Sequence, residues 1–165
     1  MLPVIAALSS PLLPDGFWTA IMAPVPFRVS PYMALFLTVP LVYLPFGIRL
    51  GLKIYLSSGK VDNLAPRQQD ERLAATSPAY ARLRAAEANM YEGLAIFAPA
   101  VLAAMQAGVP KETVSSLATA WLLYRFVFIV IYAVQFNDAM GILRSLTFAV
   151  SLLTTSKLYY MAATQ

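Results

Sequence analysis

Between Thr113 and Asn137 the chain runs for 25 residues with one charge, Arg125, and between Val29 and Ile48 for 20 residues with none. A helix rises about 1.5 Å per residue, so about 20 apolar residues cross the hydrocarbon core of a bilayer. Two uninterrupted stretches of that length leave little room for a soluble solution in a chain of 165 residues. Composition agrees: 59% of residues are hydrophobic and 12% charged, about half the usual charged share. Such a chain cannot coat its own surface with polar groups, and lipid must cover it.

Punctuation divides the rest. Val29 to Ile48 continues as a helix to about Tyr55, interrupted by Pro40 and Pro45. Spanning helices tolerate proline where neighbours satisfy the freed carbonyls. Thr76-Ser77-Pro78 is a helix start, a capping residue followed by proline in the first turn. Gly108 is the matching stop. The spacing predicts an all-α integral membrane protein: a four-helix transmembrane bundle over 31–165, with helices at about 31–55, 78–107, 113–136 and 139–162. Residues 1–30, with Pro3, Pro11, Pro14, Pro24 and Pro26, read as an extended or interfacial arm placing Phe17 and Trp18 at headgroup level. Ser57 to Ser77 lacks apolar periodicity and reads as one long polar loop. Lys157, Tyr159 and Tyr160 read as an interfacial belt.

Basic residues set the orientation. Lys53, Lys60, Arg67, Arg72, Arg82 and Arg84 flank or occupy the long loop, whereas the turn after the second span carries only Lys111. The positive-inside tendency puts loop 56–78 on the cytoplasmic side and both termini opposite, in a bacterial inner membrane or a eukaryotic endomembrane. Cysteine and histidine are absent. That removes thiol nucleophiles, the commonest general base and the usual metal ligands, so no metal site is expected. The net charge of +4 is spread over loops and helix ends rather than clustered, which argues against nucleic acid as a partner.

The chemistry concentrates where the second span begins. On a helix, Arg82, Ala85, Asn89, Glu92 and Ile96 fall within roughly 80° of one another, while Arg84, Glu87 and Tyr91 point the other way. An amide and a carboxylate one turn apart in an apolar helix either meet partners in a shared pocket or sit on its last wet turn among headgroups. Arg125, near the middle of the third span on the face of Phe128 and Tyr132, is either an interhelical contact or a functional group. A transporter built around it would carry internal repeats or broken helices, and no repeat is visible. Arg49 and Lys53 end the first span and read as snorkelling cations. Arg144 and Ser145 open the fourth. Four helices thus bring basic, amide, carboxylate and hydroxyl groups to one end of the bundle, as an anionic or zwitterionic ligand needs.

Asn89-x-x-Glu92 followed by Leu94-x-Ile96-Phe97, a third helix with Arg125 and Tyr132, and Leu143-Arg144-Ser145-Leu146 opening the fourth together resemble the MAPEG family, the membrane-associated proteins of eicosanoid and glutathione metabolism. The resemblance covers about residues 45–163 and leaves the proline-rich arm without a counterpart. It implies a homotrimer of four-helix protomers embedded in membrane lipid, with glutathione as co-substrate between subunits. Carried over by position, it implies that Arg49, Asn89, Glu92 and Tyr132 surround the tripeptide, with Arg82 one turn lower on the same face, and that Arg144 and Ser145 stabilise its thiolate. The chain departs from the pattern at Ala85 and Ala88, where glutathione-active members usually carry basic residues, and at Phe128, where a polar residue is common. Two functions follow: a glutathione-dependent transferase or peroxidase acting on lipophilic electrophiles, or a non-catalytic accessory subunit of a larger membrane assembly.

Overall fold

Ser30 and Pro31 begin the first long helix as the sequence dictates, the Ser30 hydroxyl accepting from the Met33 amide at 3.2 Å. The computed structural model describes residues 14–22, 25 and 27–165, and all its regular structure there is helical. The helices are α1 (Asp15–Met22), α2 (Pro31–Leu56), α3 (Pro66–Thr76), α4 (Pro78–Gln106), α5 (Lys111–Val134) and α6 (Asp138–Ala163). Four of them, α2, α4, α5 and α6, are long and apolar enough to cross a membrane. The protein is an integral, multi-pass membrane protein.

Each span has chemical reasons for its ends. Ser77 caps α4 by accepting from the Tyr80 amide, with Pro78 in the first turn. Asn137 caps α6 by accepting from the Met140 amide at 2.9 Å, and Asp138 places negative charge in its first turn. At the end of α4, Gly108 adopts φ +81°. Val109 N–H then reaches back to Ala104 O and Gly108 N–H to Met105 O, the paired closure that favours glycine at that position. Pro40, Pro45 and Pro99 lie inside helices that run through them.

The helices pack as an up-and-down bundle, with α2 against α4 and α5, and α6 against α4 and α5. Its centre is the α4/α5 seam. There Phe97 and Trp121 stack at 4.0 Å between ring centroids, flanked by buried Ala100, Val101, Ala104, Val114, Leu117 and Ala118. Small side chains let two helix backbones approach closely, the packing that holds helices together where lipid is as apolar as the core. The outside is apolar too: Phe36 is 68% exposed and Ile142 65%, surface that only acyl chains cover at low cost.

Two segments differ from the sequence reading. The stretch read as a polar loop contains α3. Its residues are good helix formers behind Pro66, yet none of them is buried, so apolar periodicity could not reveal it. Charged contacts fix it instead. In the proline-rich arm, residues 1–13, Ala23, Pro24 and Pro26 lie outside the described residues, but Asp15–Met22 is helical rather than extended. Trp18, expected at headgroup level, is 3% exposed. Its ring lies 5.4 Å from Lys157 Nζ, while the Tyr124 hydroxyl donates to Ile21 O at 3.0 Å. Lys157 is correspondingly buried beneath Trp18 and Tyr160. Tyr159 donates across to Ile96 O on α4.

Candidate functional site

Of the expected binding residues, Asn89, Tyr132, Arg144 and Ser145 meet in one cleft, Arg49 lies on the opposite face of α4, and Arg82 and Glu92 join neither. On one face a cleft of about 190 Å³ is lined by Asn89, Phe128, Tyr132, Arg144, Ser145 and Phe148. It joins the start of α4, the end of α5 and the start of α6, the wet end expected from the charge pattern. The Arg144 guanidinium lies 4.3 Å over the Tyr132 ring, and its Nη1 donates to Gln135 Oε1 at 2.8 Å. A cation stacked on one face and bonded at one nitrogen keeps its remaining N–H groups for a ligand. Ser145 donates to Gly141 O at 3.0 Å, leaving its oxygen lone pairs available. Asn89 donates to Ala85 O of its own helix, so only its carbonyl and second N–H remain for the cleft. Phe128 and Phe148 form an apolar floor, their ring centroids 6.1 Å apart.

Arg49 is placed elsewhere. Its Nε donates to Glu87 at 2.7 Å and its Nη1 to both Asp70 and the Tyr80 hydroxyl at 2.9 Å. Lys53 joins Asp70 at 2.9 Å, and Tyr80 donates to the same carboxylate at 2.6 Å. This cluster lies on the Glu87 face of α4 and borders a second cleft of about 220 Å³ with Arg84, Ala88 and Tyr91. Asp70 is thereby the anchor of α3. Burial alone would push its carboxyl up, but hydrogen bonds from Lys53, Tyr80 and Arg49 outweigh that and hold it at about 2. Because this lies below the ordinary value near 3.9, the contribution to α3 docking is complete above about pH 4 and is lost as the pH falls through about 2. A fluorescent reporter on α3 should stay quenched against the bundle at pH 5 and be released near pH 2. No change down to pH 2 would remove Asp70 from this role.

Glu92 is exposed on the surface of the single chain, and Arg82 is half-buried with its Nε lacking a hydrogen-bond partner. Neither lines the Arg144 cleft. The sequence reading left Arg125 between two roles, and the structure gives it a strained environment. It is 1% exposed, its Nε and Nη1 find no hydrogen-bond acceptor among the described residues, and its guanidinium is packed by the rings of Trp121, Phe128 and Phe148 at 4.9–5.5 Å. Gly93 of α4 makes room for it: a Cβ there would stand 2.6 Å from Arg125 Nη2. Ring faces offset part of the desolvation of a buried cation but not the loss of its hydrogen bonds.

Sequence reasoning missed Gln135, Asp70, Glu87 and Tyr80 as polar partners, and Phe148 as cleft floor. All are brought in by folding across 9 to 38 positions in the case of the hydrogen bonds. Asp70 alone gave a hint, as an acid between two basic helix ends.

A model of the MAPEG family matches residues 32–164. No curated protein and no solved structure matches the chain.

Proposed function

We propose, from the premise that the chain belongs to the MAPEG family, that it binds glutathione or a closely similar anionic thiol in the Arg144 cleft and adds its sulfur to lipophilic electrophiles arriving from the bilayer. The reading rests on one observation: Asn89, Tyr132, Arg144 and Ser145, carried by three different helices, line a single cleft at the polar end of the bundle. Arg144 stabilises the thiolate by its charge and free N–H groups, and Ser145 adds a hydrogen bond when its hydroxyl turns from Gly141 O to the sulfur. The thiol proton leaves to solvent, the sulfur lone pair forms the new S–C bond, and the electrophile's displaced electron pair departs on its leaving group. Asn89 and Tyr132 orient the peptide, while Glu92, Arg82 and Arg49 take part as the lining that a neighbouring copy in a homotrimer would complete. The loop carrying α3 faces the cytoplasmic side.

Arg144→Ala should leave the fold intact and lower turnover with a generic electrophile by about two to three orders of magnitude, as loss of a preorganised charge does. Wild-type rates in this variant, or no binding by the native protein at millimolar glutathione, would overturn the reading.

Ala85, Ala88 and the intramolecular engagement of Arg49 favour a second reading, a non-catalytic subunit of a larger membrane assembly. Blue-native electrophoresis separates the two. Co-migration with a large complex supports the accessory role, whereas a lone trimer supports the enzyme.

A further inference from the structure

Resting on the thiolate role of Arg144 just proposed, we infer that Gln135 is the residue that positions it. An arginine at the mouth of a helix bundle has several rotatable bonds and would otherwise sample solvent. Here two contacts fix its head: the Tyr132 ring beneath it and the Gln135 carbonyl oxygen at its Nη1. Arginine only donates, so the amide oxygen of Gln135 must be the atom turned toward it. The amide nitrogen then points at Gly141, where a Cβ would stand 3.1 Å from it. An alanine at this position would push the Gln135 amide by a few tenths of an ångström, and with it the acceptor that aims Arg144.

Gln135 directly follows α5, and Gly141 lies in the first turn of α6. The connection between the two spans thus aims the arginine, through side chains that do not line the cleft themselves. The consequence is specific. Loss of the Gln135 acceptor leaves the charge of Arg144 in the protein but lets it swing off the sulfur position, so ligand binding and thiol ionisation should separate. A purely structural role for Gln135 would move both or neither.

The full chain in detergent, with glutathione as the probe, tests this by calorimetry and by the ultraviolet absorbance of the bound thiolate followed against pH. Gln135→Leu is expected to bind glutathione within about threefold of the native protein, because Asn89 and Tyr132, which orient the peptide, are untouched. Its thiolate midpoint should rise by about one pH unit and its turnover fall by roughly tenfold or more, the scale of a misplaced catalytic group. Gly141→Ala should shift the midpoint in the same direction by less, and serves if the leucine variant does not fold. Arg144→Ala in parallel separates the failures. If it leaves the midpoint unchanged, the proposed function falls. If it raises the midpoint while Gln135→Leu and Gly141→Ala leave it unmoved, only the role of Gln135 falls.

Discussion

Asp70→Ala is expected to free α3 from the bundle and to destabilise the folded protein by about 2–4 kcal/mol, somewhat below the cost of breaking a fully buried ion pair because Asp70 retains 21% side-chain exposure. The effect is large because one carboxylate serves three donors. Removing it strips a partner from Arg49 and Lys53, whose side chains are only 10% and 7% exposed, and from the Tyr80 hydroxyl. Helix α3 has no buried residue to hold it once that anchor is gone. Limited proteolysis should cut the variant selectively between α2 and α4 while the spans resist. Tyr80→Phe, which removes two hydrogen bonds and leaves the ion pairs, should cost about 1–3 kcal/mol. Equal protease resistance of native protein and Asp70→Ala would show that α3 is held by something else.

The second large effect lies at the α4/α5 seam. Gly93→Ala should lower stability by about 1–3 kcal/mol, the usual range for forcing an extra group into a packed interior. The new Cβ would stand 2.6 Å from Nη2 and 2.9 Å from Cζ of Arg125, and three aromatic rings close the guanidinium's routes of retreat. The clash belongs to that one pair, which a double-mutant cycle can isolate. Arg125→Met in the same chain removes the branched head and should restore most of the loss in thermal unfolding of the detergent-solubilised protein. A second alanine cost as large in the Arg125→Met background would mean that helix–helix spacing at Gly93, and not the arginine, sets the penalty.

The four spans were legible because crossing a bilayer demands a run of apolar residues that no other need produces. Ser77 and Gly108 marked two of their ends by local capping chemistry. The residues that line the Arg144 cleft stood out for a related reason: Asn89, Tyr132, Arg144 and Ser145 are polar groups that an apolar span does not carry without cost. What stayed hidden depends on partners distant in sequence. Arg49 has the same local context whether it snorkels, binds a ligand or, as here, pairs with Glu87, 38 residues on. Helix α3 has good local propensity but no apolar stripe, and contacts back toward α2, from Asp70 to Arg49 and Lys53 and from Gln69 to Ser57, distinguish it from a solvated loop. The burial of Trp18 stayed hidden because the arm says nothing about Lys157, which meets it from the far end of the chain. Gln135 lay unremarked inside the predicted third helix, 113–136, which ends at Val134, since its importance lies in what Arg144 requires.

The seating of α1 ties the two ends of the described chain together. Trp18 and Ile21 are sunk among the core side chains, and Lys157 of the last span meets the Trp18 ring. The segment ahead of the first span thus works as a clasp, and drawing the last span away from the bundle has to open that clasp as well.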